Sequence, residues 1–260
     1  MTNEISVHPT AIVEDGAQIG AGVSVGPYSI IRKNVVIGAG TVIKERVTIE
    51  GWTKLGRDNV VFTGAVVGSK TQDKKYKGEK SYLRIGDENQ IREYVTINPG
   101  TGEGTETVIG NNNLLMAYSH VAHDCVLHDH ITIANVGTLA GHVIVEDRAI
   151  IGGLSAVHQF VRIGSLAIIG GCSKVVQDIP PFMMLDGHPA RAFGINSVGL
   201  DRQGYSKEEK MLLKRAYKII FKSGLSLKNS IIRIEDEIET SPAVLTLLDF
   251  LKKSERGICK

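Results

Sequence analysis

The sequence predicts a parallel β-helix, a chain wound into a triangular prism, followed by a small α-helical domain. Three observations carry this expectation. From Val7 to Val175 every sixth residue is Ile, Leu or Val in 26 of 29 positions, the exceptions being Asp73, Glu79 and Glu103. The next residue is repeatedly Gly, as at Gly20, Gly38, Gly56, Gly110 and Gly152, and the fourth is small or branched, as at Ala11, Val23, Thr41 and Ala65. After Val175 the period stops and helix signals begin. A six-residue period fits neither the 3.6-residue helix nor plain strand alternation. A short fixed period marks a solenoid of stacked coils.

Each element follows from that period. Three hexads close one coil, so residues 18 apart lie above one another at the inter-strand spacing of ~4.8 Å. The aliphatic residue fills the prism, the small residue lets the chain round a corner, and Gly is expected to supply the corner's backbone angles. Two stretches interrupt the pattern: the lysine-rich segment at about 69–84 and the Gly- and Thr-rich segment at about 98–108. Neither can fill an apolar interior, so both are expected as loops leaving corners. The β-helix domain is expected over 1–190 and the helical domain over 191–260. Ser206 with Glu209 reads as a capping box, followed by Leu212, Leu213, Ala216 and Ile220 at helical spacing. A second helix is expected at about 226–239. A third starts with Ser241 as N-cap and Pro242 in the first turn, and is expected to end near Gly257.

Composition sets further bounds. A net charge of +2 offers no electrostatic case for nucleic acid. No apolar N-terminal stretch suggests a signal peptide or a transmembrane segment, so a cytoplasmic location is expected. The three cysteines, Cys125, Cys172 and Cys259, have no metal-ligand spacing and suit a reducing compartment.

The 18-residue rule sorts the histidines. His120, His123, His128, His130 and His142 fall close together, and His158 follows. Adding 18 to His123 reaches Gly141, and adding 18 again reaches Gln159. His123, Gly141 with His142, and His158 with Gln159 therefore line one prism edge on three coils. His120 lies just before it. His128 and His130 belong to the next face and corner, and His8 and His188 read as ordinary surface residues. Counting only hexads that form faces, the first loop, with Asp73, Lys74 and Lys75, leaves the same edge two coils (~10 Å) below His123.

Histidine beside a carboxylate, here His123 with Asp124, suits general-base catalysis, because imidazole ordinarily titrates near neutral pH. The Gly141 amide one coil above is placed to donate to a developing oxyanion. Such an edge suits acyl transfer from a thioester to a hydroxyl. Cys125 reads as packing rather than as a nucleophile.

The motifs HVAHDC, LAGHV, IIGGLSAVHQF, IGGCS and DIPPF, with NQIREYVTI, QDKKYKGE and NNNLLM, resemble the acyl-[acyl carrier protein]–UDP-N-acetylglucosamine O-acyltransferases of lipid A synthesis over nearly the whole chain. The resemblance implies a left-handed winding and a homotrimer with sites between subunits. It implies transfer of an (R)-3-hydroxyacyl chain from acyl carrier protein to the 3-hydroxyl of UDP-N-acetylglucosamine, the first step of lipid A biosynthesis. No metal and no cofactor are implied, the donor being carried on the phosphopantetheine of the carrier protein. His123 is implied as general base, Asp124 as its polarising partner and Gly141 as oxyanion donor. Asp73, Lys75, His120, His142, His158 and Gln159 are implied to bind sugar and acyl groups, and Asn196 and Arg202 the nucleotide and phosphates.

Gly171 occupies the position that the family uses as an acyl-chain ruler. Glycine there implies room for a myristoyl-class chain, with Lys174 the competing candidate for setting the length. The chain departs from the family at Val198, where others carry an acid, at Gln203, where others carry a base, and at Asn98-Pro99-Gly100-Thr101, where many read HRGT.

Alternatives stay open at this stage. The acceptor can instead be a 3-amino sugar. A γ-carbonic-anhydrase-like zinc enzyme would use His120, His123 and His142 as ligands. An acetyl-coenzyme A-dependent hexapeptide transferase would normally have a shorter prism. An ice-binding prism would need a flat threonine ladder that this chain lacks. The cluster Lys207, Lys210, Lys214, Arg215, Lys218 and Lys222 reads either as a docking face for the acidic carrier protein or as a solvated helix face.

Overall fold

The computed structural model describes residues 4–260. It is a left-handed parallel β-helix closed at one end by a hairpin and a four-helix domain. The strands form three sheets, one per prism face: 11 strands on the first, nine on the second and eight on the third. Successive strands of a face pair in register at the expected step, Ser6 with Ser24 and Thr132 with Ile150. Across the loops the step lengthens, as in Thr96 with His120. Val7, Val13 and Ile19 on the first coil are exposed or half-buried, whereas Leu115, Ile133, Ile151 and their equivalents from Val25 onward are buried. Burying each contributes about 1.5–3 kcal/mol.

The corners correct one expectation. The residue with left-handed φ is mostly not the glycine; it is the third residue after the aliphatic, as at Tyr28, Tyr94, Tyr118, Asp124, His142 and Leu154. The glycine directly after the aliphatic serves close approach instead. A Cβ at Gly152 would come within 2.6 Å of the Gly170 carbonyl carbon on the next coil. The fourth residue is inward and buried, and three successive ones on one edge are Asn59, Asn89 and Asn113. These amides form a ladder, Asn59 Oδ1 accepting from Asn89 N at 2.9 Å and Asn89 Oδ1 from Asn113 N at 2.9 Å. The hexad pattern did not signal this polar column, which satisfies backbone groups that a corner leaves open.

Both loops are present, and each ends three residues earlier than expected. Tyr82–Ile85 and Glu106–Ile109 are four-residue strands that pair with Trp52–Leu55 in register. The three departures from the aliphatic pattern acquire a role here. Asp73 accepts from Lys75 N at 2.9 Å, Glu79 from Lys77 N at 2.6 Å and Glu103 from Lys80 N at 2.9 Å. Each carboxylate fixes loop backbone, the last one tying the two loops together.

The boundary expected at residue 190 falls inside a hairpin. Met183–Gly187 extends the first face and Ala190–Ile195 pairs with it antiparallel. The helices are α1 (Ser197–Arg202), α2 (Lys207–Lys222), α3 (Leu227–Glu237) and α4 (Pro242–Lys252). The Ser206–Glu209 capping box is formed, and Ser241 caps α4 with Pro242 at its start. α4 stops at Lys252, short of Gly257, because the following segment turns back to bridge Asp178 with Ile258. No helix among the described residues is long and apolar enough to cross a membrane.

Candidate active site

The edge between the second and third faces carries two columns of side chains. His123, Gly141, Gln159 and Gln177 stand two residues after successive second-face aliphatics, while Asp124, His142 and Phe160 are the left-handed corner residues beside the first three. The left-handed turn at Asp124 (φ 57°) brings its carboxylate back to its own neighbour: His123 Nδ1 lies 2.8 Å from Asp124 Oδ2. Both side chains are largely buried. The same carboxylate accepts from Thr101 N at 3.2 Å and lies 3.7 Å from His142 Nε2. His142 stacks on Phe160 with centroids 4.7 Å apart and stands edge-on to His123.

The opposite ring nitrogen, His123 Nε2, faces the first loop, where Asp73 Oδ2 is 3.8 Å away. The ring also lies against the Gly141 backbone so closely that any Cβ there would overlap it. The Gly141 N–H donates to no group among the described residues, whereas its carbonyl accepts from Phe160 N. A cleft of about 460 Å³ opens here, walled by Gln72–Lys75 on one side and His120, His123, Gly141 and Gln159 on the other, with Asn98 at its base. A larger cleft of about 530 Å³ lies behind the same loop between Trp52, Tyr76 and Lys80. It is lined by no histidine, so the histidines decide between the two.

His120 Nδ1 is 2.7 Å from Thr96 Oγ1. Burial, with the neighbouring His123 adding to it, holds the His120 imidazole below its ordinary pKa, so it acts as a neutral hydrogen-bonding group. Burial pushes the Cys125 thiol up to about 12, and its Sγ sits 3.2 Å from the Ala140 carbonyl, which leaves no thiolate to act as nucleophile.

The structure gathers Asp73, Lys75, His120, His123, Gly141 and Gln159 in one cleft and sets Asp124 behind them. His142 and His158 stand on the same edge outside the cleft wall, His158 lying 3.4 Å from Arg256. Gly171 and Lys174 do not join them: Gly171 is on the corner between the first and second faces, and Lys174 is on the second face above Ala156. Asn196 is buried, with Oδ1 capping α1 at Gly199 N and Nδ2 donating to Leu166 O at 2.9 Å. Its side chain is thus committed to structure, while Arg202 is exposed in the last turn of α1. His128 faces Asp147, away from the cleft.

Sequence reasoning missed Thr96, and it marked Asn98 and Thr101 only as departures from the family's second loop, not as site residues. Asn98 Nδ2 donates to the carbonyl of Ser69 and so holds the start of the first loop. The loop insertions break the 18-residue count that found the histidines, so no spacing pointed to these residues.

His123, Asp124 and His142 offer ligand atoms within 4.8 Å of one another, a set that differs from the expected trio by Asp124 in place of His120. In the structure the Asp124 carboxylate is already engaged by His123 and by the Thr101 amide.

A histidine–carboxylate pair beside a backbone N–H that donates to no described residue, on a hexapeptide prism beneath a lysine-bearing loop, is an arrangement suited to the acyltransferases of the hexapeptide class. Comparison with known proteins resolves the class further. The family model "Udp N-acetylglucosamine O-acyltransferase; Domain 2" matches residues 178–259, and the bacterial transferase hexapeptide model matches 16–51 and 106–136. The acyl-[acyl-carrier-protein]–UDP-N-acetylglucosamine O-acyltransferase of Thermodesulfovibrio yellowstonii is 49% identical, over 98% of this chain and 99% of that one. LpxA from Acinetobacter baumannii superposes with a TM-score of 0.94 at 45% identity, over 98% of this chain and 99% of that one. The UDP-N-acetylglucosamine O-acyltransferase of Moraxella catarrhalis superposes at 0.92 and 41% identity, over 98% and 99%. The chain belongs to the family of acyl-[acyl-carrier-protein]–UDP-N-acetylglucosamine O-acyltransferases.

Proposed function

We propose that this chain transfers an (R)-3-hydroxyacyl group from acyl carrier protein to the 3-hydroxyl of UDP-N-acetylglucosamine, the first step of lipid A biosynthesis, in the cytoplasm. The observation that carries the reading is the orientation of His123: Nδ1 is engaged by Asp124 while Nε2 faces the cleft. With Asp124 as acceptor, Nδ1 holds the proton and Nε2 is the basic nitrogen. Nε2 takes the proton of the sugar hydroxyl as its oxygen attacks the thioester carbonyl carbon. The tetrahedral oxyanion accepts from Gly141 N–H. The C–S bond then breaks and the departing thiolate takes the proton from the imidazolium. Asp124 stabilises that imidazolium without itself being protonated. Asp73 and Lys75 on the loop bind the sugar, and no metal or cofactor takes part.

Residues placed elsewhere in one chain, Gly171 and Arg202, would reach the site from a neighbouring copy. A homotrimer supplies that copy, and heterologous packing about a threefold axis closes a ring. Tyr118, Val136 and Leu154 are exposed on the edge between the first and second faces, on the same coils as the catalytic residues. They form the apolar surface such a neighbour would cover. Lys207, Lys214, Lys218 and Lys222 are exposed on α2 and make no ion pair among the described residues, which suits docking of an acidic carrier protein.

The test is mass-spectrometric detection of product from purified protein, UDP-N-acetylglucosamine and a mixed set of 3-hydroxyacyl carrier proteins, with chelator present. Acylated sugar nucleotide is expected, and the favoured donor reads out chain length. Product with the 3-amino sugar alone would move the acceptor assignment. Loss of activity in chelator with stoichiometric metal recovered would move the reading to a metal at His123, Asp124 and His142.

A further inference from the structure

We infer that Arg256, with His158, forms a phosphate-binding site at the upper end of the catalytic edge. The inference rests on the acyl-transfer reading for the identity of its ligand and on the tail's geometry for its existence.

The column His123, Gly141, Gln159 continues one coil higher at Gln177, and there it receives the C-terminal tail. Gln177 Nε2 donates to Arg256 O at 3.1 Å, and Cys259 Sγ donates to Gln177 O at 3.3 Å. Asp178 N donates to Gly257 O and Cys259 N donates to Asp178 O, each at 3.0 Å. The buried Asp178 carboxylate accepts from Arg162 N at 2.9 Å and from Ser254 Oγ at 2.7 Å. Ile258 and Cys259 are buried beneath. A terminal segment held at this many points is a fixed piece of the fold rather than a frayed end.

What that anchoring fixes in space is the exposed side chain of Arg256. Its Nη2 lies 3.4 Å from His158 Nδ1, and His158 precedes Gln159 of the cleft wall. Arg256 makes no ion pair among the described residues. His158 Nδ1 is also 3.0 Å from the Gln159 carbonyl. Two nitrogen-bearing side chains thus converge with no carboxylate between them, which is the arrangement an anion completes. The guanidinium fork matches phosphate oxygens in a bidentate manner. The site lies two to three coil rises above His123, about 10–14 Å along the edge. Both substrates of the proposed reaction carry phosphate: the diphosphate of the sugar nucleotide and the phosphate of the carrier protein's prosthetic arm.

The experiment compares the full-length wild type with Arg256→Met. KM and kcat are measured for UDP-N-acetylglucosamine, for acyl carrier protein donor, and for acyl-phosphopantetheine against acyl-pantetheine, which differ only in the phosphate. Losing one charge-assisted contact is expected to raise KM roughly 10- to 100-fold for one phosphate-bearing substrate, with kcat little changed. A rise confined to the sugar nucleotide places its diphosphate at Arg256. A rise for the donor, with discrimination between phosphopantetheine and pantetheine lost, places the prosthetic phosphate there.

Arg256→Lys is expected to fall between, and Glu255→Gln on the same tail to leave both KM values unchanged. Unchanged KM for both substrates in an Arg256→Met protein that melts like the wild type overturns the inference and leaves the acyl-transfer reading intact. Calorimetric binding of UDP-N-acetylglucosamine and of phosphopantetheine to the two proteins decides the same point without turnover. Equal affinities for both ligands overturn the site, so it is tested even if wild type gives no product.

Discussion

Two edges of the prism share one backbone and differ in almost everything chemical. Between the second and third faces stand His123, Asp124, Gly141, His142 and Gln159, with both loops folded over the lower coils. Between the first and second faces stand Tyr94, Tyr118, Val136 and Leu154, all exposed, with Tyr94 stacked on Tyr118 at 5.1 Å. The aliphatic of each hexad is buried beside both edges, and the corner residue is left-handed on both: Asp124 and His142 on one, Tyr118 and Leu154 on the other. The repeat therefore specifies the coil and leaves the second and third positions after each aliphatic free. Titratable and polar side chains occupy those free positions on one edge, and exposed apolar ones occupy them on the other.

The largest expected effect that would break this comparison is on the catalytic edge. His123→Ala should lower kcat roughly 10²–10⁴-fold, as removal of a general base does. Its circular dichroism and sedimentation should match wild type, and near-normal turnover would remove His123 from the mechanism. Gly141→Ala should cost on the order of 10²–10³-fold, because the new Cβ displaces the His123 ring from the amide it faces. Steady-state rates together with a structure of the variant would show whether the ring has moved.

The apolar edge should respond in a different observable. The double variant Tyr118→Asp, Leu154→Asp should shift the mass measured by light scattering from that of the proposed trimer toward monomer, and activity should fall with it while His123→Ala keeps the wild-type mass. An unchanged mass would mean that this surface is not the interface. Gly171→Met, at the upper end of the same edge, should move donor preference toward shorter chains at similar kcat for the shortest. An unchanged profile would assign the length limit to Lys174 or another residue.

The smallest effect concerns stability against pH. The folded pKa of His120 lies below its ordinary value, so the unfolded chain takes up this proton first as pH falls through about 6.5. Protonation therefore favours unfolding, and stability is lost as pH drops from above 6.5 toward the folded pKa. His120→Gln should lose less melting temperature between pH 7.5 and pH 5.5 than wild type does. An equal loss would mean that His120 is not the group responsible.

Most of the fold was legible because an interior with one aliphatic per hexad repeats its constraint at every coil. His123, Gly141 and Gln159 were legible for the same reason, since a common spacing of 18 puts them on one line. The capping box at Ser206 and the Ser241–Pro242 start were legible because they act within one turn. The role of the glycines was misjudged, because what Gly152 must avoid is Gly170 on the next coil, a contact absent from local propensity. Thr101 on Asp124 and Arg256 beside His158 were invisible, the first behind a loop insertion and the second separated from His158 by 98 residues.

The sequence by itself determined the prism, its two loops, its helical end and the line along which the reactive groups stand, because each depends on contacts that recur at a constant interval. Only the tertiary structure decided which nitrogen of His123 faces the cleft, how Asp73 and Thr101 meet the dyad, and where the tail sets Arg256. Those contacts join segments at irregular separations, and their geometry follows from loop and tail paths that no period describes.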